Sequence, residues 1–279
     1  MSLSNENILN KEFDAMVHKI FVSEGYRLRG TTRVKTSNDS KVFQFRKVGS
    51  VTANEYAPQT TVVYQDPNYA AVDVTAKRYR APIIIDDYDQ FITNVNERQE
   101  DAMLVADAVG RRFDQIILDA LINSGTTNTI ADGSSNFTYD KFTEIIEFFE
   151  DKAVPIKNRH VVTSASGARS LLKQTNFISN DFLGKGAVKN GTMAGRDLLG
   201  CNVHIIPTMD EGGLGKSGNI RTCWAWHQSS VGMVQTGPIK SILERVPGLD
   251  SWQVLGKIFA NAVAIDATGI VQFDIDESA

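Results

Sequence analysis

Lys41-Val-Phe-Gln-Phe-Arg-Lys-Val48 and Ala70-Ala-Val-Asp-Val-Thr-Ala-Lys-Arg-Tyr79 bracket a segment with little material for a core. The first stretch alternates at the period of a strand, with Phe43 and Phe45 on one face and Gln44 and Arg46 on the other. The second is an extended run that leads into Ile83, Ile84 and Ile85. Between them, residues 51–68 are rich in Thr, Gln, Asn, Pro and Tyr. The polar stretch Thr36-Ser-Asn-Asp-Ser40 reads as a turn ahead of the first strand. A two-stranded arm with a polar tip is at best marginally stable alone in water. Such an arm persists when it lies on another surface, so this stretch already points to a chain that touches copies of itself.

Upstream, residues 6–22 read as an amphipathic helix, with Leu9, Phe13, Met16, Val17 and Ile20 on one face. A lone helix of that length also needs a surface to pack on. Downstream, residues 96–123 carry the clearest helical pattern of the chain. Met103, Ala106, Gly110, Phe113, Ile117 and Leu121 form its apolar stripe, and Asp107, Arg111, Asp114 and Asp119 fall mainly on the other side. At 1.5 Å per residue this is a spine roughly 40 Å long. Residues 138–247 read as a compact α/β or α+β unit. Its expected helices are Tyr139 to Asp151, capped by Thr138, and Gly167 to Gln174, capped by Ser166. Strands are expected at residues 160–163, 202–206, 222–227 and 231–235, with a polar loop over 176–195. The tail supplies two long β-rich runs, at residues 252–265 and 270–274.

The chain has 279 residues, enough for about two domains or one large one. Its 42% hydrophobic content excludes disorder, and the net charge of −4 disfavours a dedicated duplex binder. Its apolar runs are far short of a membrane span, and the first residues lack the pattern of a signal peptide. Two cysteines, Cys201 and Cys223, suit a reducing cytosol. Residues 210–217, DEGGLGKS, imitate the end of a phosphate-binding loop, but Asp210 stands where the first Gly belongs and a strand follows. Cys201, His204, Cys223 and His227 imitate a zinc set, although Cys201 and His204 point to opposite faces of a strand. Asp86, Asp87 and Asp89 read as an exposed turn. Ser164 and Ser166 lack the nucleophile pattern, and the four histidines show no triad logic.

The order of elements resembles one family, the major capsid protein of tailed bacteriophages. The residues that carry the likeness are Arg29-Gly-Thr-Thr-Arg-Val34, Lys41 to Gly49, Asn54-Glu-Tyr-Ala-Pro-Gln59, Arg80-Ala-Pro-Ile-Ile-Ile-Asp86 and Ala194-Gly-Arg-Asp-Leu-Leu-Gly-Cys-Asn-Val203. They are most similar to coat proteins of short-tailed phages. The resemblance implies an α+β chain with the Hong Kong-type capsid fold, shared with the herpesvirus shell floor. Residues 1–30 would be an N-terminal arm and 31–85 an extended two-stranded loop. Residues 86–137 and 238–279 would form a peripheral domain with the spine helix, and 138–237 an axial α/β domain. The implied function is structural: hexamers and pentamers of an icosahedral virion shell around double-stranded DNA, with no catalytic, cofactor or metal residue. Implied partners are the chain itself, a scaffolding protein, a portal and, non-specifically, packaged DNA, with no membrane. Phe13, Phe43, Phe45, Tyr56, Tyr64, Arg78 and Arg80 are the expected inter-subunit contacts. A nanocompartment shell of the encapsulin type is the alternative. A metal-dependent enzyme built on His204, Cys223 and His227 is a remote third.

Overall fold

The computed structural model describes residues 25–37, 40–86, 97–174, 196–237, 240–246, 248–249 and 251–279. The helix expected over residues 6–22, Phe13, the whole loop expected over 176–195, and Asp87 and Asp89 all lie outside these residues. The strands are β1 (Arg33–Ser37), β2 (Val42–Val48), β3 (Tyr69–Thr75), β4 (Lys77–Asp86), β5 (Thr129–Ile130), β6 (Arg159–Ser164) and β7 (Arg196–Leu198). They continue as β8 (Cys201–Ile206), β9 (Lys216–Ser217), β10 (Ile220–His227), β11 (Val231–Thr236), β12 (Lys240–Val246), β13 (Ser251–Ala264) and β14 (Ile270–Asp276). The helices are α1 (Glu97–Ile122), α2 (Tyr139–Asp151) and α3 (Ala165–Leu172).

Strand β13 organises the first sheet. Its residues 251–257 pair with β12 on one side and β4 on the other, and Ala260 pairs with both Gln235 of β11 and Lys77 of β4. Strands β11 and β12 therefore run end to end along one side of β13, and β4 forms the opposite edge, where Pro82 costs no ladder hydrogen bond. Parallel to β11 runs β1, so Thr36 and Ser37 are strand residues and not the expected turn. Their side chains are polar because the pairing is made by the backbone.

Helix α1 covers one face of this sheet. Val105 and Val109 press on Gly256, where a Cβ would stand only 2.5 Å from the Val105 Cγ1. In the first half of α1 the buried stripe is narrower than expected, and Met103, Leu104 and Ala106 are exposed. Toward its C-terminus the helix is buried on several faces, through Phe113, Ile116, Ile117, Leu118 and Leu121, and Asp114 is buried with them. The reason is position: there the helix also meets the second sheet, and one core joins Val109, Phe113 and Ile117 to Met233 and Ile258 on one side and to Val161, Trp226 and Phe273 on the other.

The second sheet has the order β5-β14-β10-β6-β8-β7, with β9 pairing on β10. Its centre is β6, buried along its whole length. Thr138 caps α2 as its sequence position suggests, its hydroxyl accepting from the Lys141 backbone N–H. The cap of α3 is Ser164 and not Ser166: the Ser164 hydroxyl accepts from the Gly167 backbone N–H, and the Ser166 hydroxyl accepts from the Asn136 amide instead. The segments expected from the resemblance do not coincide with the sheets. From within 138–237, β11 joins the first sheet, and from within 238–279, β14 joins the second. Each follows its hydrogen-bond partner and not its neighbour in sequence.

Candidate inter-subunit surfaces

The arm begins as a seven-residue hairpin, β2 against β3, running from the Val42–Thr75 pair to the Val48–Tyr69 pair. Its base is fastened to its own chain. Phe43, Phe45, Val74 and Ala76 form a small core with Val234 and Ile265. The Lys35 ammonium lies 4.9 Å over the Phe45 ring and donates to the Gln44 carbonyl. Further out, Lys47 pairs with Asp266 at 2.8 Å. Asn261 donates its amide to the Thr75 carbonyl, and Thr236 its hydroxyl to the Ser40 carbonyl.

Beyond residue 48 this support ends. Residues 49–68 form no strand, and their bonds are local: the Gln65 side chain accepts from Thr52 N–H, the Tyr56 hydroxyl donates to the Val63 carbonyl, and Gly49 N–H donates to Asn68. On this tip and its flanks Val51, Val62, Val63, Tyr64 and Tyr69 stand in solvent, Tyr64 at 91% exposure. An exposed apolar concentration of this kind marks an interaction surface.

The expected contact residues thus divide. Tyr56 and Tyr64 lie on the tip, both exposed. Phe43 and Phe45 turn inward and are buried on their own chain, so they anchor the arm and offer no outward surface. The alternation was legible, but which face would be covered depended on β11, nearly 200 residues away. Arg78 and Arg80 are exposed on the sheet face opposite α1. The Arg78 guanidinium lies 5.6 Å over Phe259, at the edge of a cleft of about 570 Å³ whose lining includes Lys41, Lys77 and Thr236.

Residues 25–32 form a strap that runs over α1 to the start of β1. Gly25, at a φ of +73°, lies so close to Gly110 that no side chain fits there. Tyr26 N–H donates to the Gly110 carbonyl, and the N–H groups of Arg27 and Leu28 donate to the Asp114 carboxylate at 3.0 and 3.1 Å. Burial pushes the Asp114 carboxyl up to about 6, against the pull of those hydrogen bonds and of Arg27. The Trp226 indole donates to the Thr31 carbonyl, fixing the far end. Sequence periodicity gave no hint of this carboxylate's role; a buried acid inside a helix becomes visible only once the strap is placed.

The zinc and phosphate-loop look-alikes are taken up by ordinary structural contacts. His204 registers with Val162 and Val162 with Trp224, so His204 shares their face of the sheet and Cys223 points to the other. Among the described residues no three His, Cys, Asp or Glu side chains group as metal ligands. His204 instead contacts His160, ring nitrogen to ring nitrogen at 3.2 Å, and burial pushes His160 down to about 4. Cys223 is buried and its thiol is pushed up to about 12. Lys216 of the phosphate-loop look-alike is engaged with Glu277, which also takes a two-point hydrogen bond from Arg221. Burial alone would raise the Glu277 carboxyl, but these bonds hold it down at about 2. No described helix is long and apolar enough to cross a membrane.

An anchored arm with an apolar tip, a strapped spine and two sheets on one core describe a subunit built for contact. The sequence profile described as phage capsid protein matches residues 6–277. The chain belongs to that family. Compared by sequence with the curated proteins, this capsid protein finds no match. Among solved structures it is similar to the chain of Mycobacterium phage Che8, at 18% identity and a TM-score of 0.73 over 96% of this chain and 97% of that one. The head structure of Helicobacter pylori bacteriophage KHP40 aligns at 10% identity and a TM-score of 0.77, covering 99% and 98%. The capsid structure of the cyanophage P-SCSP1u aligns at 15% identity and 0.73, covering 96% and 93%. At these identities the likeness is one of fold, and that fold is the α+β phage capsid fold.

Proposed function

We propose that this capsid protein builds a closed icosahedral shell from hexamers and pentamers, enclosing double-stranded DNA, and that the arm tip with Tyr56 and Tyr64 lies on the neighbouring subunit. The observation that carries the reading is the contrast along the arm. Its base has a core, an ion pair and a cation over an aromatic ring, whereas its tip has exposed valines and tyrosines and only local bonds. A neighbour supplies the missing surface. In this reading the first sheet with α1 lies at the periphery of each capsomer and most of the second sheet near its axis. Phe13 and the N-terminal arm reach an adjacent subunit. A scaffolding protein and a portal take part in assembly within the host cytoplasm.

The test is the assembly state of the purified chain, by light scattering on a sizing column with negative-stain microscopy of each fraction. Shells, tubes or hexameric rings are expected, alone or after addition of scaffolding protein. A discrete monomer or dimer under both conditions would overturn the reading.

A further inference from the structure

Two surfaces of the subunit carry opposite charge and sit on different sheets. On the sheet face away from α1, Arg78 and Arg80 project from β4, and Lys257 of β13 registers opposite Arg80. None of the three has an ion-pair partner among the described residues. On the same face Ile84 stands 57% exposed, four pairs along the same ladder. Among the described residues this part of the face is basic and exposed at Arg78 and Arg80, with Ile84 and the acids Asp86 and Glu244 farther along it.

The acidic counterpart is α2. Its inner side buries Phe142, Ile145 and Phe149, and the Lys141 ammonium is turned inward to the carbonyls of Asp132, Ser135 and Asp274. No cation on the helix itself therefore offsets the outer side. There Asp140, Glu144 and Glu147 lie exposed at positions i, i+4 and i+7, one row on one face. Glu150 is excluded because it pairs with Arg159. The carboxylates rise by about 6 and 4.5 Å along the helix, and alternate strand residues such as Arg78 and Arg80 stand about 6.8 Å apart. The Asp140–Glu144 rise thus matches the Arg78–Arg80 spacing to within about 1 Å.

We propose that α2 of one copy docks across the open sheet face of the next copy, its Asp140, Glu144 and Glu147 against Arg78, Arg80 and Lys257. The contact joins unlike surfaces, so it propagates head to tail and closes into a ring when the rotation fits. Complementary charge steers such an encounter and fixes its register, and it suppresses wrong pairings. The proposal rests on the shell reading.

A charge-swap experiment on the full chain tests it, under the conditions in which the parent assembles. Glu144→Lys with Glu147→Lys, and separately Arg80→Glu with Lys257→Glu, are each expected to lower the assembled fraction at least tenfold near physiological salt. Combining all four substitutions is expected to restore most of it. The neutral set Glu144→Gln, Glu147→Gln gives a milder loss and, with the circular dichroism spectrum of every variant, separates a broken contact from a broken fold. Shells that form equally well with either reversed pair overturn the proposal and leave the shell reading standing. So does a fourfold variant no better than its parents. If Arg80→Glu with Lys257→Glu assembles normally but loses retention of duplex DNA on a filter, the basic face serves polyanions and the proposal falls. A parent that never assembles is the failure of the shell reading instead, and takes this inference with it.

Discussion

Asp114 sits 2% exposed inside α1 and holds the strap by two backbone N–H groups. Its charged and polar neighbours Arg27 and Tyr26 come from the strap itself. Because its carboxyl is raised from 3.8 to about 6, the folded subunit binds a proton that the unfolded chain does not in that window. The stability this group contributes is fully present below pH 3.8 and is lost as pH rises through 6, a swing of at most about 3 kcal/mol. His160 works in the opposite sense: lowered from 6.5 to about 4, it contributes stability above pH 6.5 that is lost as pH falls toward 4. The Asp114→Asn subunit is therefore expected to lose stability relative to the parent as pH falls from 7 to 4.5. Urea midpoints at four pH values check this, and parallel profiles would exclude the role. Gly256 gives a simpler case. Gly256→Val forces branched carbon against Val105 and Val109, where even a Cβ stands at 2.5 and 2.8 Å. A loss of about 2–3 kcal/mol is expected from overpacking, read as a lower urea midpoint at unchanged slope.

The arm's hold on the body rests on Phe45, which no water reaches, whereas the Lys47–Asp266 pair is exposed and worth at most about 1 kcal/mol. Phe45→Ala is expected to cost roughly 3–5 kcal/mol of local anchoring, enough to free the hairpin from the sheet. Hydrogen exchange checks it: amides of β2 and β3 lose protection while those of β6 and β10 keep theirs, and a uniform loss would mean that the arm is no separate unit. Most elements were legible because their patterns are local. The alternation of β2, the cap of α2 and the stripe of α1 each depend on residues within a turn or two. What escaped depends on partners far along the chain. Strand β12 does not alternate, since its sequence Lys-Ser-Ile-Leu-Glu-Arg-Val answers to its pairing with β13, and Thr36 and Ser37 at the end of β1 read as a turn until β11 is beside them. The tip tyrosines were recognisable from composition, but the buried side of Phe43 and Phe45 was not. The His160–His204 contact joins two neighbouring strands that lie some 40 residues apart in sequence.

At the scale of the molecule, the two sheets are not two domains. Residues of both, with α1 between them, belong to one contiguous core, and the chain crosses between the sheets through α1, at β11 and again at β14. Chain length left about two domains or one large one open, and the spine helix ties the two sheets into one core. Ile117 lies fully buried in that shared core. Truncating it leaves a cavity whose cost, about 2–5 kcal/mol, has no single sheet to fall on. The subunit carrying Ile117→Ala is thus expected to melt in one calorimetric transition at a lower temperature, with exchange protection falling by the same factor in β13 of the first sheet and β6 of the second. Two resolved transitions, or a loss confined to one sheet, would show that the sheets unfold independently. A single transition means that both sheets and α1 unfold as one cooperative unit.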